Sequence, residues 1–139
     1  MPPSQQELAR VKQSFEDLRP HHEPTSYDFY EELFARAPEL RQLFRDDLKG
    51  QGMRFMNTLG LVLDDMTNPN GTTVDYAELG HLHTTLGVRQ AHFEPMEDAL
   101  MASLGKKLGN EFTADLEEAW RNAFRAFSKK LIEAGDIPA

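Results

Sequence analysis

The sequence contains no cysteine, and that absence removes disulfides, thiolate metal centres, iron–sulfur clusters and any cofactor tethered through a C-x-x-C-H run. Basic residues are also scarce: 15 Lys plus Arg stand against 23 Asp plus Glu, a formal charge of −8. That is the wrong sign for reading nucleic acid or sitting on an anionic membrane, so neither partner is expected. No apolar run approaches the ~20 residues that cross a bilayer, and the polar start M-P-P-S-Q-Q-E lacks the marks of a secretion signal. The cytoplasm is the expected location. Also missing are alternating runs of the strand kind and any repeat at a fixed period. A chain of 139 residues with no break in composition is expected to form one domain over residues 1–139. It is long enough to bury about two-thirds of its unfolded surface, with no second, cofactor-carrying domain.

What remains is helical periodicity from end to end. Ser4 followed by Glu7 is a capping box, and Leu8, Val11, Phe15 and Leu18 then repeat at helical spacing until Pro20. A short H-H-E-P connector leads to Tyr27, Tyr30, Leu33 and Phe34, a helix that ends before Pro38. Pro38 opens a brief helical turn through Phe44, and Asp46 to Gly50 reads as a polar loop. Gln51, Phe55, Thr58, Val62 and Met66 then share one face of a long helix, closed by the turn cluster T-N-P-N-G-T-T at 67–73. Past the next helix, Arg89 to Phe93 links to one that starts near Pro95 and carries Met96, Leu100, Ser103, Leu104 and Leu108 inward. Thr113 caps a last helix with Leu116, Trp120, Phe124, Phe127 and Leu131 inside, ended by Gly135. The class is all-α, with six to seven helices.

The helix after the turn cluster carries the chemistry. Tyr76, Leu79, His83 and Leu86 are spaced three, four and three apart and fall on one stripe, so His83 faces inward. His81 lies about 160° round the same helix and faces solvent. Gly87 stands where a left-handed cap wants glycine, so the helix ends one turn past His83. From spacing alone, His83 is either a core histidine satisfied by a carbonyl or a ligand within reach of a cofactor. Gln51, thirty-two residues earlier, and Tyr30 and Phe44 further upstream point inward as well.

In order and spacing, F-Y-E-E-L-F at 29–34, A-P-E-L-R-Q-L-F at 37–44, Q-G-M-R-F-M at 51–56 and L-H-T-T-L-G-V at 82–88 resemble the bacterial single-domain globins related to the globin half of flavohaemoglobins. The resemblance spans nearly the whole chain. It implies the three-over-three globin fold around a non-covalent haem b and reversible binding of O2, NO and CO. By the same resemblance His83 is the proximal iron ligand, its Nδ1–H held by a carbonyl near Leu79. Phe44 lies flat on the porphyrin. Tyr30 and Gln51 act on the bound gas from the distal side. Phe55 and Thr58 are distal contacts, and Leu79, Leu82, Val88, Phe93 and Met96 proximal ones. Arg54 either pairs with a haem propionate or is a plain surface arginine.

Two departures bear on the finer role. Flavohaemoglobins pair a tyrosine ten residues after the proximal histidine with a late glutamate, whereas this chain has Phe93 there and a Glu133 that does not align cleanly. The histidine is then expected to be less anionic and poorly suited to peroxide-type cleavage. Phe55 stands where the family commonly has leucine, which narrows the distal space. Three roles follow: a gas-binding haem protein for transport or sensing, a nitric oxide dioxygenase served by a separate reductase, or a haem-free module working through protein contacts. Three inward polar side chains, each needing a partner, argue against the last. A monomer and a homodimer are both compatible with the sequence.

Overall fold

Ser4 opens the first helix as its capping box requires: the Glu7 N–H donates to Ser4 Oγ at 3.1 Å and the Ser4 N–H to Glu7 Oε1 at 3.0 Å. In the computed structural model, which describes residues 3–43, 48–68 and 74–139, six α-helices follow one another with no strand among the described residues. They are α1 (Gln5–Asp17), α2 (His22–Arg36), α3 (Leu48–Thr67), α4 (Tyr76–Leu86), α5 (Phe93–Leu108) and α6 (Ala114–Gly135). The expected turn after Pro38 is a 3-10 helix over Pro38–Leu43.

Two expected loops prove helical. The H-H-E-P connector shrinks to one 3-10 turn at Arg19–His21, because Pro24 fits within the first turn of α2, where it forfeits no helical hydrogen bond. The loop expected at 46–50 is helix from Leu48 onward, while Asp46 and Asp47 lie outside the described residues. Gly50 alone does not prevent a helix from starting there. Gln51 therefore stands in the first turn of α3 rather than at its tip.

Helix α2 packs across α5 and α3, α1 packs on α6 and α3, and α4 runs along α6. The stripe expected on α6 is buried from Trp120 through Phe124, Phe127 and Leu131. Trp120 donates its indole N–H to Ser14 Oγ at 2.9 Å, and that hydroxyl donates to the Val11 carbonyl at 2.8 Å, so the ring's one polar atom is satisfied in the α1–α6 core.

The α4–α6 crossing rests on two glycines. A Cβ on Gly80 would stand 2.7 Å from both the Gly135 Cα and the Leu131 carbonyl oxygen. Only hydrogen atoms allow backbones so close. Gly135 is thus the last residue of α6 and a packing residue, and the left-handed cap falls instead on Asp136, at φ 52°. The crossing also turns α4: its buried line runs through Gly80, and Leu86, expected inward, is 52% exposed.

Candidate functional site

Helix α4 is built to hold one imidazole steady. Asp75 caps its start by accepting from the Glu78 N–H at 3.0 Å, and Gly87 closes its end at φ 97°. Between them, His83 Nδ1 lies 2.8 Å from the Leu79 carbonyl oxygen. Since a carbonyl can only accept, Nδ1 carries a proton, and in the neutral ring the lone pair is then on Nε2. The backbone is pinned too, the His83 carbonyl accepting from the Val88 N–H at 3.0 Å. At 100° per residue, His83, Leu79, Leu86 and Leu82 occupy one sector of about 100°, turned away from Gly80 and α6. Leu79 and His83 are half-buried, and Leu82, expected as an apolar contact, is 56% exposed along that sector.

Tyr30 belongs to a second wall. Its ring is buried on α2, stacked on Phe34 at 5.8 Å and tilted against Phe29 at 5.2 Å, while Phe55 of α3 lies parallel to Phe29 at 4.5 Å. Burial pushes the Tyr30 hydroxyl up to about 12, partly offset by the positive charge of Arg54. It therefore stays protonated, and able to donate, throughout the physiological range. The reason α3 can lie so near is Gly52: a Cβ there would meet Ser26 Oγ at 2.5 Å and Tyr30 Cε2 at 3.4 Å. Gln51, next to it, is half-buried.

Of the other candidates, Thr58 and Met96 are half-buried, Val88 and Phe93 are buried, and Arg54 is exposed. Phe44 lies outside the described residues. Phe93 also belongs to a separate cleft of about 630 Å3 between α5 and α6, where Arg121 and Arg125 bind the buried Glu97 at 2.7 and 3.0 Å. Its Glu133 is exposed. Hydrophobic periodicity does not foreshadow Gly52, Gly80 or the bond of Gln90 Nε2 to the Ile137 carbonyl at 2.9 Å. Mid-helix glycine is the available signal for the first two.

A family model described as Globin matches residues 27–131. The chain belongs to the globin family. Its all-α architecture is the globin fold, and Tyr30, Gln51 and His83 all lie inside the matched span. Relatives carry the name flavohemoprotein. That of Bordetella pertussis is 29% identical over 127 residues, 89% of this globin and 32% of the relative. That of Halalkalibacterium halodurans is 24% identical over 133 residues, 94% and 32% of the two chains. That of Bacillus subtilis is 22% identical over 125 residues, 88% and 31%. This globin thus spans about a third of the length of the curated relatives it matches. Among the described residues no helix is long and apolar enough to cross a membrane.

Proposed function

We propose that this globin, a single domain over residues 1–139, holds one non-covalent haem b on His83 and reversibly binds O2, NO and CO beside Tyr30 and Gln51. The observation that carries the reading is the bond from His83 Nδ1 to the Leu79 carbonyl. It fixes the tautomer in which Nε2 is the free ligand atom, as a metal-bound histidine requires. The donor set fits the group as well. A lone imidazole on an apolar sector of Leu79, Leu82 and Leu86 suits a metal whose remaining positions are filled by a flat apolar macrocycle. When bound, the haem supplies a ferrous iron with a position for a diatomic gas.

The chain's own residues do the rest. Nε2 of His83 would hold the metal, and Val88, Phe93 and Met96 would line the same side. The Tyr30 hydroxyl, kept protonated by burial, donates to a polar gas ligand, and the Gln51 amide is the second donor. The stacked Phe29 and Phe55 rings would exclude water from that side, and Arg54 would be the cation for a propionate.

Visible spectra of the purified protein in ferric, ferrous and ferrous-plus-CO forms test the proposal. One haem per chain and a five-coordinate ferrous form are expected; a protein that takes up no haem overturns it. Tyr30→Phe is expected to speed O2 dissociation about tenfold or more, since a hydrogen bond to a ligand bearing partial charge contributes about 1–3 kcal/mol. CO dissociation should change much less. Equal effects on both gases would give Tyr30 a steric role.

A second reading is a nitric oxide dioxygenase served by a separate reductase; the relatives' shared name, flavohemoprotein, joins a haem to a flavin, a group able to supply electrons. Nitric oxide added to the oxygenated protein should then give nitrate once per chain. Continued nitrate production should need an added electron donor, and sustained turnover on NADH alone would contradict the separate reductase.

A further inference from the structure

Helices α3 and α4 carry the two sides of the proposed site, Gln51, Phe55 and Thr58 on one and His83 on the other. At the far end of α3 its last turn is joined to the first turn of α4: the Tyr76 hydroxyl donates to Asp65 Oδ2 at 2.8 Å. The bond is placed with some insistence. Asp65 is buried, 8% exposed, and its Oδ1 has no partner among the described residues. A carboxylate is buried only at a cost in solvation, so the hydroxyl that compensates it is held to that position. The other face of the Tyr76 ring is held from α6, with Lys130 Nζ 5.4 Å from the ring centroid. Tyr76 is therefore gripped from both neighbouring helices, two turns before His83 on the same helix.

We propose that the Tyr76–Asp65 hydrogen bond is a strap that sets the spacing of α3 and α4, making both residues positioning residues for His83 and hence for its bond to iron. The α4–α6 contact runs along both helices and is closest where Gly80 meets Gly135, but it leaves the distance of α4 from α3 unset. The strap ties the first turn of α4 to the last turn of α3 and so sets that distance. This role rests on the haem reading and extends it to two residues that touch neither haem nor gas.

The test uses the full chain loaded with one equivalent of haem. Tyr76→Phe keeps the ring and its contact with Lys130 and deletes only the hydroxyl; Asp65→Asn keeps an oxygen that can accept from it. The two readouts are the iron–histidine stretching band of the ferrous protein by resonance Raman and the rate of haem loss to excess apoglobin. Tyr76→Phe should move the band to lower frequency and speed haem loss about tenfold or more, the range for one hydrogen bond to a charged acceptor. Asp65→Asn should lie near the wild type, and the Asp65→Ala, Tyr76→Phe double variant should be no worse than Tyr76→Phe alone. A Tyr76→Phe protein with the wild-type band overturns the strap, even if its Tm has fallen, because a purely structural bond would lower Tm without changing the bond to iron. A wild-type chain that binds no haem overturns the haem reading first and the strap with it.

Discussion

His83→Ala is expected to leave a folded protein that no longer retains haem through gel filtration, while His81→Ala retains it as the wild type does. The two histidines lie two residues apart on α4. His81 is exposed, whereas His83 is half-buried with Nδ1 already bonded to the Leu79 carbonyl. Only His83 has its second nitrogen fixed as a free acceptor facing the apolar sector. The fold should survive, because His83 makes a local hydrogen bond and fills no deep core position. The core is carried by α1, α2, α3, α5 and α6. Deleting the ring leaves a space of its own size, so added imidazole should enter it and restore a five-coordinate ferrous spectrum. If instead His81→Ala loses haem and His83→Ala keeps it, the ligand assignment fails.

Gly80→Leu should cost the fold more stability than the loss of the His83 ring, the Tyr30 hydroxyl or the Tyr76 hydroxyl. Even the first added carbon would stand 2.7 Å from backbone atoms of Gly135 and Leu131, and a backbone, unlike a side-chain tip, has no rotamer by which to move aside. Overpacking of this kind costs about 3 kcal/mol or more, which for a domain of this size lowers Tm by roughly 10 °C. Gly80→Ala is the instructive companion. Alanine gains about 1 kcal/mol of helix propensity over glycine, which offsets part of the clash, so a net loss of about 1–2 kcal/mol is expected from thermal unfolding. An alanine variant as stable as the wild type would mean that α4 and α6 can separate freely. Haem retention should weaken in both variants, because α4 carries His83.

Helix identity and the inward phase of most stripes were legible in the sequence, because apolar residues at 3.6-residue spacing report burial directly. Ser4, Thr113 and Gly87 act as the caps their residue types announce. The bond from His83 to the Leu79 carbonyl also follows from helix geometry, which places an i−4 carbonyl under every side chain. Leu86 shows where this logic fails. Periodicity assigns hydrophobic residues to the inward face of α4, but the face that is buried is chosen by the partner, and α6 presents a glycine to which only another glycine can fit closely. The expected loop fails at 48–50 for a different reason: a glycine near a helix start costs about 1 kcal/mol, too little to override twenty residues of helix (Leu48–Thr67). The neighbour that Gly52 admits and the pairing of Asp65 with Tyr76 could not be read, because each depends on residues far off in sequence.

The chain has a single tryptophan, and its hydrogen bond to Ser14 places it in the packing of α1 on α6. Its fluorescence is consequently a gauge of one region. Emission from Trp120 will shift when that core melts, but a local opening in which α4 swings away from α6 leaves the indole's surroundings intact. Loss of haem from His83 would need only a movement of α4. Following Trp120 emission and haem absorbance in the same denaturant titration therefore separates two free energies that a single melting curve would merge. The gap between the two transitions measures how firmly α4 is fastened.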